Sequence, residues 1–177
     1  MLLTSVPIVD HVLDQHTSVL GHDFTAYRNH VYRVLNLCVA LAPGGEADLE
    51  KIAIASVFHD LGIWTGHTFD YIPPSVSLAR EHLASRAPDW IPEIEAMIVN
   101  HHKITCARVD SRSLVEAFRR ADWIDVSRGF RRFGLARAFI GTVFANWPDS
   151  GFHWRLVELT IDRFRQHPLS PLPMVKL

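Results

Sequence analysis

Residues Ile52-Ala53-Ile54-Ala55-Ser56-Val57-Phe58 give a helix running from about Glu46 to Ile63 an apolar surface nearly all round, and they lead straight into His59-Asp60. A helix without a polar face has to lie at the centre of its fold, covered by other elements. The flanking sequence supplies those elements as helices. Ile8, Val9, Val12, Leu13, Val19 and Leu20 recur at helical spacing from Pro7 to a stop at Gly21, and Asp23 reads as the cap of a helix from Phe24 to about Leu41, closed by Pro43-Gly44-Gly45. Gly62 to Pro74 reads as an aromatic loop with Trp64, His67, Phe69 and Tyr71. Pro73-Pro74 then start a helix to about Arg86, and Asp89 caps one that leads to His101-His102. Ser113 and Glu116 have capping-box spacing in a helix carrying Phe118, Ala121, Trp123 and Ile124, and two further helices span about 133–147 and 151–166. Strand-like alternation is absent. The expectation is an all-α, compact bundle of about seven or eight helices forming a single domain over 1–177, with a core at about 24–126 and C-terminal helices at about 131–167 packing on it.

Composition narrows the class. Of 177 residues 48% are hydrophobic and 21% charged, enough to bury one sizeable core, and 18 Lys+Arg against 19 Asp+Glu leave no basic surplus to attract nucleic acid or an anionic membrane. No apolar stretch approaches the roughly 18 residues a membrane span requires. Cys38 and Cys106 are too few for a disulfide framework, and the N-terminus meets acidic and histidine residues before a signal-peptide core can form, so a cytoplasmic location is expected. The outlier is histidine, at 11 residues. Imidazole is the commonest metal ligand and titrates near neutral pH.

Placing His59 and Asp60 side by side at the end of the most apolar helix is costly unless a cation compensates them. Candidate partners are His30 beside Tyr27, Val31 and Val34; His101-His102; and Asp122 within Arg120-Ala121-Asp122-Trp123-Ile124-Asp125. Each alone has a plainer account. His30 would be a hydrogen-bonded core residue, Asp122 a partner of Arg119, and His101-His102 a pair favoured by the macrodipole at a helix C-terminus. The ordered set His, His-Asp, His-His, Asp, spread over four helices, favours a metal.

The motifs Tyr27-Arg28-Asn29-His30-Val31, Val57-Phe58-His59-Asp60-Leu61 and Ala121-Asp122 resemble the H…HD…D pattern of the HD-domain superfamily of metal-dependent hydrolases, mostly phosphohydrolases. The resemblance covers roughly residues 24–126. It implies an HD-domain-like fold in which His30, His59, Asp60 and Asp122 ligate one divalent metal, and Ile98-Val99-Asn100-His101-His102 is similar to the additional histidines of many members. The second dipeptide, His22-Asp23, has no apolar helix behind it and is assigned to a linker and a cap. His82 stands where two-metal members carry a further His, but the first turn of its helix has none. His11, His16, His153 and His167 read as surface residues, and His67 as a loop contact.

Imidazole plus carboxylate donors suit Mn, Fe, Co, Ni or Zn without choosing among them, and such an ion activates water and withdraws charge from a phosphoryl oxygen. Asp60, His101 and His102 are the catalytic candidates, with Asp60 orienting water. Arg119 and Arg120, within a run that also holds Arg128, Arg131, Arg132 and Arg137, are candidates to hold phosphate; Trp64 and Tyr71 to stack a substrate; Asp125, three residues after Asp122, to position a ligand or water. The expected partner is a small phosphorylated molecule, with neither membrane nor nucleic acid, and a homodimer is compatible with the sequence. The expected function is a metal-dependent phosphohydrolase acting on a small phosphate ester or nucleotide. Two alternatives stay open: an HD-type hydratase or lyase acting on a small nitrile-like substrate, which an apolar, arginine-free pocket would favour, and a non-catalytic ligand-sensing module.

Overall fold

The computed structural model describes residues 2–42, 46–107, 113–170 and 172–175, the side chains of residues 46 and 47 aside. The helix stop expected at Pro43-Gly44-Gly45 lies outside them. Among the described residues the chain is all-helical: α1 (Pro7–Gln15), α2 (Thr17–Leu20), α3 (Phe24–Leu41), α4 (Glu46–Phe58), α5 (Gly62–Thr65), α6 (Ile72–Leu83), α7 (Ile91–Asn100), α8 (Val115–Val126), α9 (Arg137–Asn146) and α10 (Phe152–Gln166), with two 3-10 turns, Gly21–Asp23 and Pro88–Trp90. Two of the ten, α2 and α5, are single turns. No helix among the described residues is long and apolar enough to cross a membrane.

Residues 52–64 form an unbroken buried run, as a helix apolar all round requires. It shares the centre with α3, which packs chiefly on α8 and α4 and buries everything from Asn29 to Cys38, including the polar Asn29, His30, Arg33 and Asn36. One apolar core extends from Val6 to Met174, so α9 and α10 belong to the same packed body as the helices before them. Each large apolar side chain brought to zero exposure there, such as Leu35, Val57 or Phe118, contributes roughly 1.5–3 kcal/mol.

Several boundaries differ from the sequence reading. The first helix is interrupted at His16 and continues as α2. The third ends at Phe58, because the chain turns through His59-Asp60-Leu61; that turn is as buried as a helix, so the apolar pattern runs on without a break. The expected loop contains α5, and α6 starts at Ile72 with Pro73 and Pro74 in its first turn. The caps differ from the expected ones. Asp23 and Asp89 make no side-chain cap to α3 or α7, and at α8 the cap position falls on Leu114, with Ser113 Oγ accepting from the Val115 amide at 3.3 Å in place of the reciprocal Ser113/Glu116 box.

Asp23 and Glu116 are occupied elsewhere. Asp23 is buried and accepts a hydrogen bond from the Trp64 indole at 2.9 Å, with Arg155 Nε 3.2 Å away. Glu116 accepts hydrogen bonds from the Ala107 amide, from Arg119 Nε and Nη2, and from Arg120 Nε, at 2.7–2.9 Å. Burial pushes the Glu116 carboxyl up, but these donors outweigh it and bring it down to about 2 from an ordinary 4.5. A carboxyl whose folded value is depressed stabilises the fold above its unfolded value and loses that contribution as pH falls toward the folded one. Glu116→Gln is therefore expected to be less stable than wild type near pH 7, and the gap is expected to close as pH falls from about 4.5 toward 2. Urea unfolding of both proteins near pH 7 and pH 3 checks this, and an equal gap at both values contradicts it.

Candidate metal centre

Four elements bring six side chains to one point. His30 comes from the middle of α3, His59 and Asp60 from the turn after α4, His101 and His102 from the end of α7, and Asp122 from α8. Among them three overlapping groups place ligand atoms within 4.8 Å of one another: His30, His59 and Asp122; His59, Asp60 and His101; His101, His102 and Asp122. The sequence-predicted ligands are thus brought together, with both histidines of the additional pair among them. His82 is in none of these groups; its ring lies 5.3 Å from that of Phe58.

The orientation of each imidazole follows from its Nδ1 partner. His59 Nδ1 donates to the Ser56 carbonyl at 2.8 Å and His101 Nδ1 to the Ile98 carbonyl at 2.6 Å, each three residues back, at a helix end where carbonyls lack helical partners. His30 Nδ1 donates to Asp125 Oδ2 at 2.7 Å. Three Nε2 atoms are thereby turned inward, where each can lose its proton to a metal. His30 Nε2 and His59 Nε2 stand 2.9 Å apart, with Asp60 Oδ2 3.4 Å and 3.5 Å from them. Asp60 Oδ1 and both oxygens of Asp122 are buried and accept no hydrogen bond, although imidazole nitrogens of His101, His102 and His59 lie 3.2–3.8 Å away.

Such a concentration of lone pairs and carboxylate charge calls for a cation. Two nitrogens each about 2.1 Å from one ion and at right angles would lie about 3.0 Å apart, close to the His30–His59 separation, so the donor set fits a divalent transition metal. The electrostatics agree. Burial lowers the His30 pKa, but Asp125 and Asp60 outweigh it and bring it up to about 9. Burial also takes His59 down to about 4, against the pull of Asp60, which keeps it a neutral donor at neutral pH. Burial would raise the carboxyls of Asp60 and Asp122; the surrounding histidines reverse this and hold both below the ordinary range.

Around the cluster the predicted substrate residues fall in different places. Tyr71 is beside it, its hydroxyl 2.7 Å from His102 Nε2 and 3.4 Å from His101 Nε2, so it acts through its oxygen rather than as a stacking face. Trp64 packs at a tilt against Tyr27, ring centroids 4.7 Å apart, and lines, with His67, Phe69, Arg155 and Arg163, a cavity of about 310 Å³ that none of the six cluster residues lines. Arg119 and Arg120 are committed to Glu116, Arg119 also to the Lys103 carbonyl, and both guanidinium groups lie 5.7 Å from the Phe133 ring. Both belong to an ion-pair network centred on Glu116. Asp125 is fully buried, and both of its oxygens are held by His30 and Arg33.

Three contributors went unseen in the sequence. Arg33 is fully buried against Asp125; Phe152 stacks on the His30 ring at 3.9 Å with planes 12° apart; and His153, expected at the surface, hydrogen-bonds the Asp125 carbonyl through Nε2 at 2.9 Å. An arginine inside the apolar run Val31 to Leu37, three residues after His30, is a signal that was available. Phe152 and His153 carry none.

A sequence model of the HD domain matches residues 27–126, more than half of the chain. No curated protein and no solved structure matches it.

Proposed function

Because the chain belongs to the HD-domain family, we propose that it is a metal-dependent phosphohydrolase acting on a small phosphate ester or nucleotide, with the ion held by His30, His59, Asp60 and Asp122. The observation that carries this reading is the convergence of Nε2 atoms, fixed by Nδ1 hydrogen bonds, on buried carboxylates of which three oxygens accept no hydrogen bond. A divalent ion in that setting supplies a Lewis acid and an activated water at neutral pH.

The protein's own groups then divide the work. Asp60 has one oxygen toward His30 and His59 and the other toward His101, which suits it to accept or orient a proton on the attacking water. His102 keeps 15% side-chain exposure where His30, His59, His101 and Asp122 have none, so it stands at the accessible edge, where a substrate oxygen would meet it. The Tyr71 hydroxyl fixes the outer nitrogen of His102. The enclosed setting excludes bulk water and strengthens every charge interaction inside.

One observation supports a second reading. Arg119 is held by Glu116 and the Lys103 carbonyl and Arg120 Nε by Glu116, which leaves fewer donors for a phosphate, and a small uncharged substrate such as a nitrile would need no such grip. The two readings separate in one experiment: phosphate release from nucleoside mono-, di- and triphosphates and small phosphoesters with Mn, Co, Ni or Zn supplied, beside a nitrile-hydration assay. Phosphate release is the expected result. Turnover in hydration alone would move the protein to the hydratase reading, and inactivity in both with metal fully bound would favour a sensing module.

A further inference from the structure

His30 has two polar atoms. Nε2 faces the cluster, so the direction of the ring depends on what holds Nδ1. The holder is Asp125 Oδ2 at 2.7 Å, and Asp125 is itself held by Arg33, whose Nη2 donates to Oδ2 at 3.1 Å and whose Nε donates to Oδ1. All three side chains are without solvent exposure. The remaining guanidinium nitrogen, Nη1, donates to the carbonyls of Trp147 and Pro148, 3.1 Å from each. The same connection between α9 and α10 is gripped one turn earlier on the same face of α3, where Asn29 Nδ2 donates to the Pro148 carbonyl at 2.8 Å and to Ser150 Oγ at 3.1 Å. Phe152 then covers the His30 ring. The forked geometry of arginine matters here, since three nitrogens reach two carboxylate oxygens and two carbonyls at once, which a single ammonium cannot do.

We infer that Arg33, acting through Asp125 and anchored by the 147–150 turn, is a positioning residue that sets the His30 imidazole for metal binding. The turn lies beyond residues 27–126, so the segment C-terminal to the HD-domain match takes part in building the metal centre. A carboxylate behind a ligating histidine fixes its tautomer and raises its donor strength. Fixing that carboxylate in turn requires a partner that holds both of its oxygens, and Arg33 is that partner. The inference rests on the metal reading of the cluster.

The test compares wild type with Arg33→Lys and with the double variant Arg33→Met/Asp125→Asn, and takes Arg33→Met alone as the reference for thermal stability. Arg33→Lys keeps the charge but not the fork, and the double variant removes both buried charges together. Cobalt(II) is titrated into each protein while its visible ligand-field absorption is followed, and thermal unfolding is recorded without metal. Both variants are expected to bind cobalt about 10–100-fold more weakly than wild type, with an altered spectrum. The double variant, free of any unpaired charge, is expected to melt closer to wild type than Arg33→Met alone does, while its cobalt affinity stays low. A folded variant of either kind that binds cobalt with wild-type affinity and spectrum would overturn the positioning role and leave the metal reading intact. Wild-type protein that takes up no cobalt would overturn the metal reading and, with it, this inference.

Discussion

Asp122→Asn is expected to lower turnover about a thousandfold or more while leaving the helical content nearly unchanged. Asp122 has no solvent exposure, and neither oxygen accepts a hydrogen bond, so what the carboxylate contributes to the centre is charge and a donor atom. The amide is nearly the same size and carries neither the charge nor comparable affinity for a divalent ion. Effects of that order follow when a charge aimed at the reacting centre is removed from a preorganised, water-poor site. Circular dichroism with steady-state kinetics on the best substrate checks it. His22→Ala is the control: the side chain is 86% exposed and is expected to change turnover little. Asp23 would be an unsuitable control, because the Trp64 indole and Arg155 depend on it. Near wild-type turnover in Asp122→Asn would remove Asp122 from the centre.

Gly62→Ala is expected to be among the most damaging changes in the chain, although it adds one methyl group. Gly62 follows the His59-Asp60-Leu61 turn directly, and its amide donates to Ser75 Oγ at 3.0 Å. A Cβ there would stand 2.7 Å from Ser75 Oγ, 2.8 Å from the Ser75 amide nitrogen and closer still to the Tyr71 carbonyl oxygen. The Ser75 hydroxyl can rotate away, whereas the backbone of α6 cannot. Relief therefore means separating α5 from α6, which shifts both Tyr71 and the turn carrying two ligands. The expected cost is about 3 kcal/mol, at the upper end of overpacking penalties, together with weakened metal binding. Denaturant unfolding reads the first and a metal titration the second. An unchanged midpoint would mean that the α5–α6 contact is looser than described.

The bundle and the ligand set were legible because both are local patterns. Periodicity marks α3, α6 and α7, and a histidine beside an aspartate at the end of an apolar helix violates the ordinary cost of burying charge. What sequence could not show is long-range pairing. Asp125 looked like a second group on the face of Asp122, but its role depends on Arg33, 92 residues away in sequence, and on a turn further on still. Arg119 and Arg120 read from sequence as phosphate-holding groups, while Glu116, three and four residues before them, is the local signal for the ion pairs both make. The missed end of α4 has another cause: a buried turn needs the same apolar residues as a buried helix, so Leu61 and Ile63 continue the pattern while the backbone changes course.

The central claim is that this cluster is a metal centre, and elemental analysis of protein purified without chelators tests it most directly. The expected content is close to one divalent transition metal ion per chain, bound tightly, and lost in His59→Ala and Asp60→Ala. Wild-type protein that carries no metal when fresh, and binds none on titration with Mn, Fe, Co, Ni or Zn, would contradict it.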